Sequence, residues 1–315
     1  MCDRVRAAAS DVFGVSADQV LVGNGSDDCL TVIMRSFVLP GDTVACPWPT
    51  YSLYDTLATI QGVAIKHVDW LAERDPTLEG AAAVGGVDGW HLPVAALATC
   101  GARVVFLATP NNPSATLVPL EALMELASRL DGILVVDEAY IDYACDGDGM
   151  KASFIPKLAQ FPNVLVLRTF SKSYSMAGAR LGLMFGSAEL IENMGKVKDS
   201  YNVNAMTQIA GEAALRDRDH FGWLVRSTIE QRVLLLDAFR SLGWTWPQSD
   251  ANFVLVETGS VQTAATLYTE LKAAGILVRY WGKRPELASK LRITVGAKES
   301  NDRLLALVRE KLPKL

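Results

Sequence analysis

Three groups of residues stand directly after apolar runs, and each could do chemistry. Lys172 closes Arg168-Thr169-Phe170-Ser171-Lys172, which follows Val164-Leu165-Val166-Leu167. A lysine desolvated at a strand end gives up its proton more readily and becomes a nucleophile. A solvated loop lysine is the plain alternative. Asp137 follows Ile133-Leu134-Val135-Val136 and opens Asp137-Glu138-Ala139-Tyr140. A carboxylate there is costly unless a cation or hydrogen-bond donor meets it. It reads either as a helix cap or as the acceptor for a protonated ring nitrogen. Gly23-Asn24-Gly25-Ser26-Asp27 follows Val20-Leu21-Val22. Small residues at a helix start let an anion approach the free backbone N–H groups. A tight turn capped by Ser or Asp accounts for the same residues. Arg180, eight residues beyond Lys172, follows a segment rich in small hydroxyls, Ser173 and Ser175 among them. Hydroxyls, a turn and a guanidinium together suit a phosphate.

The elements that must position these groups alternate. Apolar strand patterns at 20–22, 43–46, 103–107, 133–136, 164–167 and 181–186 are interleaved with helical spacing at 29–38 and 120–130. Pro47-Trp48-Pro49 is expected to break the second strand. Near-continuous apolar strands fit a parallel sheet covered on both faces, doubly wound through right-handed crossovers. The last third reads as α+β: a long helix over 221–242, a strand at 252–256, a helix over 263–274 capped by Gly275, strands at 276–279 and 291–295, and a closing helix over 301–312. The expected division is a large unit over 1–213 and a small one over 214–315. The soft stretch 80–89 reads as a surface loop.

Composition narrows the class. The chain has 315 residues, 50% of them hydrophobic and 21% charged, enough apolar material for a sizeable core and too little charge for disorder. A net charge of −5 argues against a nucleic-acid surface. No run reaches the ~18 apolar residues a membrane span needs, and the first stretch has no secretory pattern. Five scattered cysteines without a CxxC, and three histidines without metal spacing, point to reduced thiols and no metal site. No GxSxG, GxxxxGK[ST] or HExxH occurs. A lysine, a strand-end carboxylate and a phosphate cradle at one sheet edge are the combination that pyridoxal phosphate needs.

The motifs GNGSDD (23–28), PTYxxY (49–54), TPNNP (109–113), VVDEAYIDY (135–143), LRTFSKSYSMAGARLG (167–182), ANFVL (251–255), GILVR (275–279) and LRITVG (291–296) run in this order along most of the chain. On them the sequence resembles the fold-type-I pyridoxal-phosphate-dependent aminotransferases. The resemblance implies that fold, with a mostly parallel large unit and a smaller α+β unit, and pyridoxal 5'-phosphate as cofactor. It makes Lys172 the residue that bonds the cofactor aldehyde and moves the substrate proton. Asp137 would face the pyridine nitrogen, and Tyr140 and Asn112 the phenolic oxygen. Tyr51 would stack on the ring. Gly25, Ser26, Thr169, Ser171 and Arg180 would hold the phosphate, with Asp27 contributing only its backbone. Arg292 would take the substrate anion, Arg279 a second charge on a phosphate-bearing donor, and Asn252 would lie near the substrate. The implied partners are an amino donor and a 2-oxo acid, in a cytoplasmic homodimer. Aromatic amino-acid aminotransferases and threonine-phosphate decarboxylase-like enzymes share most of these motifs, and a cofactor-binding dimer without turnover is the alternative outside the enzymes. Family members carry an N-terminal arm with an N-E-N-P segment and a Tyr-Pro, whose tyrosine reaches the partner's phosphate. The sequence begins at Met1-Cys2-Asp3-Arg4, in the helix that should follow, so that contact is expected to be missing. Ser114-Ala115, where the family often has Thr-Gly, is expected to change only a turn.

Overall fold

The structure, a computed structural model, describes residues 2–73 and 89–312. The loop expected over 80–89 lies, apart from Gly89, outside the described residues. The strands are β1 (Val20–Gly23), β2 (Thr43–Trp48), β3 (Ala64–Asp69), β4 (Val104–Ala108), β5 (Ile133–Asp137), β6 (Val164–Thr169), β7 (Gly182–Phe185), β8 (Phe253–Glu257), β9 (Arg279–Tyr280) and β10 (Lys290–Thr294). The helices are α1 (Asp3–Phe13), α2 (Ser26–Phe37), α3 (Leu53–Gln61), α4 (Val94–Ala98), α5 (Leu120–Arg129), α6 (Ala188–Val197), α7 (Ala205–Arg216), α8 (Arg218–Ser241), α9 (Val261–Ala273) and α10 (Lys298–Lys311).

β1 to β7 form one sheet in the order β1-β7-β6-β5-β4-β2-β3. From β6 to β3 all pairs are parallel, while β7 runs antiparallel to both of its neighbours. Both faces are covered, and the strands alternate between them. Val105, Leu107, Leu134, Val136, Val164 and Val166 pack with α1, α4 and α5. Val104, Phe106, Val135, Leu165 and Leu167 pack with α2 and α3. This period of two explains why the strands read as unbroken apolar runs. It also places Asp137, two residues past Val135, on the α2/α3 side.

β2 does not break at Pro47. It pairs with β4 only through Val44 and Ala45, and its pairing with β3 continues to Trp48. The proline therefore sits beyond the stretch where ladder bonds are needed on both sides. Trp48 is held between the His67 ring, stacked 4.0 Å away, and the Arg284 guanidinium 4.2 Å from its centroid. α8 begins three residues before the expected 221 because the Asp217 side chain accepts the His220 N–H and caps it.

β8, β10 and β9 make a separate antiparallel sheet covered by α8, α9 and α10, with Leu235, Phe239, Leu267 and Val308 in its core. It docks where Ala251 and Phe253 meet Ala115 and Tyr140. Buried Arg232 on α8 ties the two sides by donating to the carbonyls of Ala251 (2.8 Å) and Tyr143 (3.3 Å). No described helix is long and apolar enough to cross a membrane.

Candidate active site

β4, β5 and β6 run parallel and in register, so the residues that follow them reach the same sheet edge, where open α/β sheets bind ligands. A cavity of about 270 Å³ opens there. Ser26 and Asp27 enter it from α2, Tyr51 from the β2–α3 loop, and Asn112 from the loop after β4. Asp137 and Tyr140 come from the end of β5, and Thr169, Ser171, Lys172 and Arg180 from the end of β6 and its loop. Arg292 reaches in from β10 of the small sheet.

One end is an anion cradle. Gly25 caps α2 with φ +90°, a conformation open to glycine, and no side chain caps the helix start. A Cβ on Gly25 would meet the Arg180 guanidinium at 2.6 Å. Arg180 Nη1 donates to Ser171 Oγ at 3.3 Å. The turn is held from behind by Asp28, which accepts from the Asn24 N–H (2.8 Å) and from Asn202 (2.6 Å). Asp27 departs from expectation. Its side chain pairs with Arg180 at 3.3 Å and accepts the Tyr51 hydroxyl at 3.3 Å, because the guanidinium offsets its charge. Gly182, the first residue of β7, lies against the same turn, and a Cβ there would stand 2.3 Å from the Ser26 nitrogen. Backbone cannot yield as a side chain can. Gly182→Ala is therefore expected to destabilise the fold by about 2 kcal/mol or more and to loosen the cradle. Urea unfolding and phosphate-ester binding measure the two effects.

At the other end sits Asp137, 5% exposed. Burial pushes its carboxyl up to about 6, opposed by the Tyr54 hydroxyl at 2.9 Å and the Ala139 N–H at 3.2 Å. Lys172 is half-buried, with its Nζ 5.5 Å from the centroid of the Tyr140 ring. Burial, then the Arg292 charge, pushes its amine below the ordinary lysine value. Burial drives the Tyr140 phenol up to about 12, so it remains a donor at neutral pH. Arg292 Nη1 donates to Asn112 Oδ1 at 2.6 Å, which leaves the Asn112 amide N–H groups free of that contact. The buried Arg292 Nε has no partner. A buried guanidinium that lines a cavity suits an anion.

Of the sequence-derived residues, eleven line the cavity and Gly25 lies just behind it against Arg180, while two lie apart. Asn252 is half-buried outside the lining, and its carbonyl accepts the Val295 N–H. Arg279 is exposed and outside the lining, yet it is the register partner of Arg292. The two guanidiniums lie 5.6 and 5.7 Å from the Trp281 ring.

A family model for aminotransferases of class I and II matches residues 3–309. The chain belongs to the class I and II aminotransferases. Histidinol-phosphate aminotransferase 1 of Trichormus variabilis is 38% identical to this aminotransferase over 307 residues, covering 98% of the chain and 81% of the relative. The histidinol-phosphate aminotransferase of Synechocystis is 39% identical over 306 residues, covering 97% and 80%. A crystal structure of histidinol-phosphate aminotransferase from Sinorhizobium meliloti in complex with pyridoxal-5'-phosphate matches with a TM-score of 0.86 at 25% identity, over 99% of this chain and 82% of that one. The expected fold type, a mostly parallel sheet plus a small antiparallel one, is borne out.

Sequence reasoning missed a buried network beneath this aminotransferase's cavity. Arg168 pairs with Glu138 (2.9 Å) and with Asp142, and Ser173 donates to Asp142 at 2.6 Å. Glu138 also accepts from Ser153 (2.7 Å) and from the Phe154 N–H (2.6 Å). Glu138 adjoins Asp137 and Ser173 adjoins Lys172, so the network locks both loops. An arginine ending an apolar strand, with two carboxylates after the neighbouring strand, was the available signal. Tyr54, the second tyrosine of PTYxxY, was missed as well.

Proposed function

We propose that this aminotransferase exchanges an amino group between L-histidinol phosphate and 2-oxoglutarate, giving imidazole acetol phosphate and L-glutamate, with pyridoxal 5'-phosphate as cofactor. The observation that carries the reading is one cavity joining a half-buried lysine, a buried carboxylate and an anion cradle. The substrate choice rests on the near-full-length likeness to relatives of that name.

The residues present fit the cofactor. The cradle offers helix N–H groups, hydroxyls and a guanidinium to a dianion, and Asp137 is a buried carboxylate whose hydrogen bonds come from neutral donors. When bound, the cofactor supplies an electron sink for the substrate carbon. Gly25, Ser26, Thr169, Ser171 and Arg180 would hold its phosphate, Tyr51 its ring face, Asp137 its ring nitrogen, and Tyr140 with Asn112 its phenolic oxygen. Lys172 Nζ would hold it covalently and, once freed, carry the proton to and from the substrate carbon. Arg292 would bind the substrate anion with its guanidinium, with Arg279 adding charge for a phosphate and Asn252 nearby. Arg292→Leu is expected to raise KM for donor and acceptor about 100-fold, the worth of a lost charge-assisted contact, with a smaller loss of cofactor affinity because Arg292 also holds Asn112. Steady-state kinetics beside a cofactor titration checks this.

A homodimer is part of the proposal. Tyr201, Met206 and Ile209 are 91%, 76% and 57% exposed. They lie in the segment that touches the cradle through Asn202 and Thr207, and such a patch suits a second copy. A cytoplasmic location, supported by five unpaired cysteines, and a division between units near 213/214, inside α7, complete it.

The test compares kcat/KM for L-histidinol phosphate, L-phenylalanine and O-phospho-L-threonine. The reading expects histidinol phosphate to lead. A higher value for phenylalanine, or decarboxylation of phosphothreonine, overturns the substrate assignment.

A further inference from the structure

Tyr54 has no part in the chemistry described, yet it touches the cavity's carboxylate. Its hydroxyl donates to Asp137 Oδ2 at 2.9 Å. The residue is fully buried, stacked on Phe106 with centroids 5.0 Å apart and an interplanar angle of 15°, and meets Tyr51 edge-on at 5.7 Å. The ring has no freedom to swing, so the hydroxyl is delivered to one place. Burial holds the phenol well above its ordinary value, so it stays protonated and keeps the hydrogen it donates to the carboxylate. Asp137 Oδ1 is met separately by the Ala139 N–H at 3.2 Å. Each carboxylate oxygen thus has one fixed neutral donor.

The other charged and titratable groups facing Asp137 do not fix it. Asp27 and Cys29 come from α2, Tyr51 from the β2–α3 loop, Tyr140 from the loop after β5 and Lys172 from the loop after β6. Asp27 opposes the ionised form of Asp137, and Lys172 favours it. In the proposed reaction Lys172 changes partners, so it is an inconstant support. Tyr54 is buried on the sheet-facing side of α3 and takes no part in that exchange.

We propose that Tyr54 is a positioning residue that keeps the Asp137 carboxylate ionised and in one orientation, ready for the cationic ring nitrogen of the cofactor. The proposal rests on the reading that Asp137 faces that nitrogen. It makes the second tyrosine of PTYxxY a partner of the first: Tyr51 meets the ring face and Tyr54 holds the group at the ring edge.

Tyr54→Phe keeps the stack on Phe106 and removes only the donor. Two readouts separate positioning from packing. The first is the Asp137 carboxyl titration in cofactor-free protein by carbon-13 NMR, assigned with Asp137→Asn. Its midpoint should rise by about one unit, the worth of a hydrogen bond to a charged group. The second is the dissociation constant of pyridoxal phosphate, from tryptophan fluorescence, taken as the variant to wild-type ratio from pH 5.5 to 8.5. At pH 8.5 Asp137 is ionised with and without cofactor, the Tyr54 bond is present in both states, and the ratio should be near one. As the pH falls, the variant carboxylate protonates earlier, and the ratio should climb to about tenfold. A ratio that is flat with pH, at whatever level, or an unmoved Asp137 midpoint, overturns the proposal. Asp137→Asn guards the premise. If it leaves cofactor affinity unchanged, the assignment of Asp137 to the ring nitrogen falls and Tyr54 falls with it. If Asp137→Asn weakens binding while the Tyr54→Phe ratio stays flat, the Tyr54 role alone is wrong.

Discussion

Lys172→Ala is expected to lower kcat by about 10⁴ or more, because positioned proton transfer alone contributes 10²–10⁴-fold and the covalent hold on the cofactor is lost besides. The protein should still fold and still bind pyridoxal phosphate, since the cradle of Gly25, Ser26, Ser171 and Arg180 is untouched. The loss should therefore appear in turnover far more than in affinity. Lys172→Arg should not rescue it. A guanidinium stays protonated at any working pH, whereas burial and the nearby Arg292 charge lower the lysine amine and make its proton easier to give up. Single-turnover kinetics on both variants, with a parallel cofactor titration, checks the split. Retention of more than a hundredth of wild-type turnover by Lys172→Ala would remove Lys172 from the proton path.

Asp137→Asn should lower kcat by about 10²–10³, the usual worth of a preorganised electrostatic group, and should stabilise the cofactor-free fold. The sign follows from burial. The Asp137 carboxyl is pushed from the ordinary 3.8 up to about 6 in the folded chain. Between those values the folded protein holds a proton that the unfolded chain has released. Stability is therefore lost as pH rises through that window, and the loss persists above it. About two units correspond to about 3 kcal/mol at pH 7.5. Asparagine carries no charge to desolvate and still offers an oxygen to Tyr54. Urea unfolding of cofactor-free protein should show the variant more stable by up to about 3 kcal/mol at pH 7.5, with the gain vanishing near pH 4. A variant that is less stable at both pH values would show that Asp137 is not held against its desolvation cost.

The central sheet was legible because its strands carry apolar residues to both faces. Val104 and Phe106 point one way, and Val105 and Leu107 the other, so nothing interrupts the run. β3 was not legible by that signal. It is the outer strand, and Ala64, Lys66, His67 and Asp69 are exposed. The strand expected at 276–279 shrinks to Arg279–Tyr280, since pairing with β10 reaches only those two residues and Leu277 stands 80% exposed. The chemistry-bearing residues were readable because a parallel sheet delivers whatever follows each strand to one edge. Their supports were not. Tyr54 meets Asp137 across 83 residues, and Arg168 meets Glu138 across 30. A buried tyrosine reads as packing until its hydroxyl has a partner, and the Asp27 side chain reads as repelled by a phosphate until Arg180 is seen beside it.

The account stands or falls on a two-step exchange in one cavity. The most direct measurement is the visible absorption of the purified protein loaded with pyridoxal phosphate, followed through addition of L-histidinol phosphate and then 2-oxoglutarate. The account predicts that the first addition removes the visible band within one turnover, that the second restores it, and that Lys172→Ala does neither. A band untouched by histidinol phosphate, or removed by it but not restored by 2-oxoglutarate, would contradict it.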